Sequence, residues 1–76
     1  MSFRRYMARR ATYVASSSGA FTQDYRNDPD APNAQTLAEL LDYLRQSGAR
    51  DEVLHAARTC WNGYLRSRHR LTAARP

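Results

Sequence analysis

Residues 51–70, DEVLHAARTCWNGYLRSRHR, hold the single tryptophan and read as the longest helix of a 76-residue chain. Leu54, Ala57, Trp61, Tyr64 and Leu65 recur at i, i+3, i+7, i+10 and i+11, which stacks them on one stripe of a 3.6-residue helix. Opposite that stripe fall Glu52, His55, Thr59, Asn62, Gly63, Arg66 and Arg70. One side is built for burial, and the other is polar and turns basic toward its end. Asp51 is the expected N-cap, because its carboxylate can accept from the first free backbone N–H groups.

Working back from this helix, Thr36-Leu-Ala-Glu39 matches a capping box, and Leu37, Leu40, Leu41 and Leu44 give the third helix its apolar stripe. Gly48 is placed to end that helix at C′. Before it, NDPDAPNAQ over 27–35 carries Pro29 and Pro32 among turn formers and excludes regular structure. Ser16, Ser17 and Ser18 offer caps for a second helix over 18–27 that pairs Phe21 with Tyr25. Ser2 caps a short first helix whose inner edge is Phe3, Tyr6 and Met7. Residues 11–18 read as a connection. The expectation is one all-α domain of four or five helices over 1–70, followed by a frayed basic tail over 71–76.

A chain of this length buries only about 60% of its unfolded surface, so its margin of stability is small. Cys60 is the single cysteine, which excludes an internal disulfide and a cysteine-based zinc site. No apolar run is long enough for a signal peptide or a membrane span, and Met1 leads directly into charged and aromatic residues. These features point to the cytoplasm. All twelve basic residues are arginine, and they are unevenly placed. Residues 1–23 carry +4 through Arg4, Arg5, Arg9 and Arg10; residues 24–52 carry −4; residues 53–76 carry +5.

Enzyme chemistry finds little support. His55 and Cys60 point about 140° apart on one helix and cannot form a dyad. Cys60 reads as a semi-buried small residue flanking the stripe, and His55 and His69 as solvated side chains. Asp28, Asp30 and Glu39 sit at calcium-loop spacing, but Pro32 and Asn33 occupy positions that need a ligand and a glycine. No metal, cofactor or small-molecule substrate is expected. Phe3, Tyr6, Phe21, Tyr25, Tyr43, Trp61 and Tyr64 read as core rather than as stacking platforms, which leaves Tyr13 open. Gly63, on the outer face beside Thr59, Asn62, Arg66 and Arg70, suggests a shallow saddle that a phosphate could approach.

Taken in order, Ser2-Phe3, Tyr6-Met7, Phe21, Asp24, the 28–32 loop, Leu40, Tyr43-Leu44 and Trp61-x-x-Tyr64-Leu65 resemble the small bacterial YozE family across roughly residues 2–66. That resemblance implies a SAM-like (sterile alpha motif-like) helical bundle and no established activity. Two functional expectations result. The first is a module that contacts DNA or RNA phosphates through Arg4, Arg5, Arg9, Arg10, Thr59, Asn62, Gly63, Arg66 and Arg70, if the first helix comes close to the last. The alternative follows from the resemblance: SAM domains often associate by setting an acidic middle surface of one copy against a basic final helix of another, and this chain has both halves.

Overall fold

Three hydroxyl groups set the starts of three helices. Ser2 Oγ accepts from Arg5 N–H at 3.1 Å and opens α1, Phe3–Arg9. Ser16 Oγ accepts from Gly19 N–H at 3.0 Å and opens α2, Ser17–Asn27. Thr36 Oγ1 accepts from Glu39 N–H at 3.1 Å and opens α3, Leu37–Gln46. Each satisfies a first-turn donor that the helix itself leaves free. Glu39 reaches one residue further back than a standard capping box, accepting from Gln35 N–H at 3.3 Å.

α3 closes in a Schellman motif. Gly48 sits at φ +82°, its N–H donates to Arg45 O, and Ala49 N–H donates to Leu44 O, both at 3.0 Å. The last helix, α4, spans Asp51–Ala73. Its first carbonyl acceptor is Arg50, which takes the Leu54 N–H at 3.1 Å, so Asp51 is the first helical residue rather than the cap. At that position its charge still faces the positive end of the helix dipole. The helix also continues past Arg70 to Ala73.

This computed structural model describes residues 2–10 and 16–73, without the side chains of 70–73. Tyr13, the connection over 11–15, Arg75 and the end of the expected tail lie outside the described residues. The described chain is an all-α bundle of four helices, with α4 packed against each of the other three and α1 also packed on α2.

Phe3 is the hub of the core. It is 1% exposed, and its ring lies 4.9 Å from Trp61, 5.3 Å from Tyr25 and 5.5 Å from Tyr64, centroid to centroid. The Tyr25 and Tyr64 contacts are edge-on, the arrangement that ring quadrupoles favour. Leu40, Leu41 and Leu44 from α3 and Leu54 from α4 extend the core, and Ala31 and Ala34 close it from the loop. Tyr25 Oη donates to Pro32 O at 2.7 Å, and an Arg4 guanidinium N–H donates to Ala31 O, so the proline loop is tied to the bundle at both carbonyls.

The buried arc of α4 differs from the expected stripe. Leu65, expected inside, is 44% exposed, whereas Ala56 and Cys60, off the stripe, are 2% and 0% exposed. Cys60 is therefore fully buried rather than semi-buried, and burial holds its thiol pKa above the usual value. The arc has turned toward a row of small residues, Ala56, Cys60, Gly63 and Ser67, against which neighbouring helices can come close. Gly63 accordingly is not an open saddle. A Cβ there would stand 2.4 Å from Tyr6 Oη, so the absence of a side chain makes room for the Tyr6 hydroxyl against α4.

This contact makes the sign of one substitution depend on another. Gly63→Ala gains about 1 kcal/mol of helix propensity but drives a methyl group into the Tyr6 hydroxyl, and should be destabilising in the natural chain. In a Tyr6→Phe background the nearest remaining ring atom is 3.5 Å away, an ordinary contact, and the same change should become stabilising. Urea denaturation of the four proteins reads the cycle; a Gly63→Ala effect of the same sign in both backgrounds would contradict the packing described.

A second outcome concerns acid stability. The Tyr43 hydroxyl donates to Asp28 Oδ2, and Asp30 N–H donates to Asp28 Oδ1 at 3.0 Å. The tyrosine bond first, and the backbone bond second, hold the Asp28 pKa below its ordinary value, while Tyr43 is raised chiefly by the same bond. A depressed folded-state pKa gives stability that is present above the unfolded value and is lost as pH falls through the folded one. Tyr43→Phe should raise the Asp28 pKa in a carboxyl NMR titration and shift the acid loss of stability to higher pH.

Candidate functional site: an arginine-lined groove

α1 and α4 meet with a groove of about 270 Å³ between them, lined by Arg5, Tyr6, Arg9, Arg10 and Ser67. Its geometry starts from the end of α1. A seven-residue helix has few internal hydrogen bonds, and its last carbonyls need outside donors. Arg26 of α2 supplies them: its Nε donates to Met7 O at 2.7 Å and its Nη2 donates to Arg10 O. The position from which Arg10 leaves the backbone is thereby fixed.

The Arg10 side chain is then fixed at its tip. Nε donates to Thr22 Oγ1 at 3.1 Å, Nη1 to Tyr6 Oη at 3.2 Å and Nη2 to Ser18 Oγ at 3.2 Å. All three acceptors are neutral. Thr22 in turn donates to Ser18 O at 2.7 Å and lies 3.6 Å from Cys60 Sγ, so this half-buried guanidinium rests on a fully buried hydroxyl and thiol. Among the described residues, Arg5, Arg9 and Arg10 have no carboxylate within ion-pair distance. Arg5 and Arg9 are exposed and stand one helical turn apart.

The expected site residues divide into several groups. Arg5, Arg9 and Arg10 come together in the groove. Arg4 does not join them, because its guanidinium is engaged by Ala31 O and its backbone N–H by Asn33 Oδ1 at 3.0 Å. Gly63 lies beneath Tyr6. Thr59 donates back to His55 O at 3.2 Å, and with Asn62 and Arg66 it stays on the exposed outer face of α4, outside the groove lining. The Arg70 side chain lies outside the described residues. Arg68 is exposed with its guanidinium carbon 5.6 Å from the Tyr64 ring centroid, a cation–π contact.

Ser67 and Tyr6 were not among the expected site residues. Ser67 continues the small-residue row Ala56, Cys60, Gly63, whose 4-3-4 spacing is visible in the sequence and marks the helix face that a neighbour approaches.

On the acidic side, Asp24, Asp28 and Tyr43 border a smaller hollow of about 170 Å³ over Phe21, Tyr25 and Leu44. Glu39 is engaged with Gln35 N–H, and Asp42 lies 3.5 Å from Arg45 in an exposed ion pair. Among the described residues no three His, Cys, Asp or Glu side chains are grouped to hold a metal, and no helix is long and apolar enough to cross a membrane.

No family model, no curated protein and no solved structure matches this chain, so the likeness to the YozE family rests on the sequence positions named above.

Proposed function

We propose that this domain is a non-enzymatic binding module that contacts nucleic-acid phosphates through arginines where α1 meets α4. The observation that carries this reading is the groove itself: Arg5, Arg9 and Arg10 converge there, with no acid within ion-pair distance among the described residues. Arginine suits the role because its planar fork meets phosphate oxygens two at a time. The outer-face residues Asn62 and Arg66 extend the polar surface beside the groove and would add contacts that position a strand without reading its bases. The lone thiol fits a reducing cytoplasm.

A second reading, self-association of the SAM type, draws on the hollow bordered by Asp24 and Asp28, which could receive an arginine from another copy. The two readings part on the acidic side. Asp24→Arg should weaken self-association and leave nucleic-acid binding intact. Sedimentation at low salt and high concentration reads the first effect; a monomer there would end this alternative.

For the leading reading, labelled single strands and duplexes of DNA and RNA are titrated at 50 and 200 mM salt. About three phosphate contacts should cost roughly 20- to 40-fold in affinity over that range. The double variant Arg5→Ala, Arg9→Ala should bind at least tenfold more weakly at low salt with its fold unchanged, since neither side chain makes a hydrogen bond or ion pair among the described residues. A folded protein that binds nothing at low salt, or a double variant that binds as well as the natural chain, would sink the proposal.

A further inference from the structure

Resting on the nucleic-acid reading above, we infer that the groove is a seat for one terminal phosphate of a strand, with Arg10 as its fixed member. Arg10 differs from the other two arginines. Its guanidinium is half-buried, held at all three nitrogens by Thr22, Tyr6 and Ser18, and faces no carboxylate among the described residues. A guanidinium carries five N–H donors, so three bonds leave two for a ligand. Those two are held without the side-chain entropy that a free arginine loses on binding. A partly desolvated cation whose partners are all neutral is a stronger attractor of an anion than a solvated one.

The charge count selects the anion. Three arginines line one groove of about 270 Å³, a volume suited to a single phosphorylated end rather than to a length of backbone. An internal phosphodiester brings one negative charge, whereas a terminal phosphomonoester brings about −1.5 to −2 and three free oxygens. The second charge and third oxygen give Arg5 and Arg9 something to hold after Arg10 has taken its share. The Ser67 hydroxyl, on the facing helix, adds a neutral donor within the same lining.

The test compares one oligonucleotide sequence with 5′-phosphate, 3′-phosphate or hydroxyl ends, at a fixed salt concentration. One phosphorylated end should bind tighter than the hydroxyl-ended strand by roughly tenfold or more, the scale of one added charge-assisted hydrogen bond. Arg10→Ala removes both the charge and the fork that joins α1 to α2, so the informative variant is Arg10→Lys, with its fold checked by circular dichroism. It keeps the charge and loses the fork. The ratio of affinities for the phosphorylated and hydroxyl-ended strands should fall to within twofold. Arg9→Ala, with no structural bond to lose, should also reduce the preference. Arg50→Ala removes the same charge about 25 Å away along the chain's last helix axis and should leave the preference intact.

Equal affinity for all three ends would overturn the terminal-phosphate seat while leaving the nucleic-acid reading in place. Absence of binding to any strand would remove that reading itself. A preference that survives Arg10→Lys undiminished would overturn the role given to Arg10.

Discussion

The close seat of α1 on α4, with Tyr6 over Gly63, is the constraint from which the core and the groove both follow. Seven residues are too few to hold a helix in water, where about 12–15 are needed for marginal helicity. α1 therefore exists because it is docked. Phe3 and Met7 are its buried side chains, Ser2 satisfies its first turn, and Arg26 satisfies its last. The same docking carries Phe3 into the aromatic cluster and sets Arg5, Arg9 and Arg10 beside Ser67. A bulkier residue at position 63 would act on the core and on the groove together.

The arginines do unlike work, although the sequence presents them alike. Arg4 holds the proline loop through Ala31 O, and Arg26 caps α1 from a neighbouring helix. Arg10 joins α1 to α2 through Thr22 and Ser18. In each case a forked, permanently charged donor reaches backbone or hydroxyl oxygens that lysine's single ammonium could serve less well. What remains for a ligand is narrower than a count of basic residues suggests. Among the described residues the Arg5 and Arg9 side chains of the groove make no structural bond, and Arg10 has donors left after its own.

Much of the local architecture was legible in the residues. Ser2 and Thr36 cap as expected, Gly48 adopts the left-handed conformation of a C′ residue, and the proline loop is irregular. Each depends on neighbours within about five positions, so the pattern of types carries the answer. The start of α2 moved back by one residue, because Ser16 rather than a later serine accepts the Gly19 N–H. Asp51 moved from the cap into the first turn for a similar local reason. The candidate groove is legible in part: the arginines of the first helix stand out in the sequence, whereas the engagement of Arg4 by Ala31 O and the place of Tyr6 and Ser67 in the lining depend on packing.

The sequence by itself determined the caps of α1 and α3 and the glycine that ends α3, because caps and a positive-φ glycine act through bonds to adjacent turns. Which face of α4 is buried was decided by tertiary structure. Periodicity ranked Leu65 inside and Gly63 outside, since it weighs hydrophobicity and cannot see how near a neighbour comes. Once α1 and α2 approach, the small residues at the contact are covered while Leu65 stays 44% exposed, and the buried arc turns toward Ala56 and Cys60. The same packing chose which arginines are spent on backbone carbonyls and which stay open, because that choice depends on carbonyls brought near from nineteen to twenty-seven positions away along the chain.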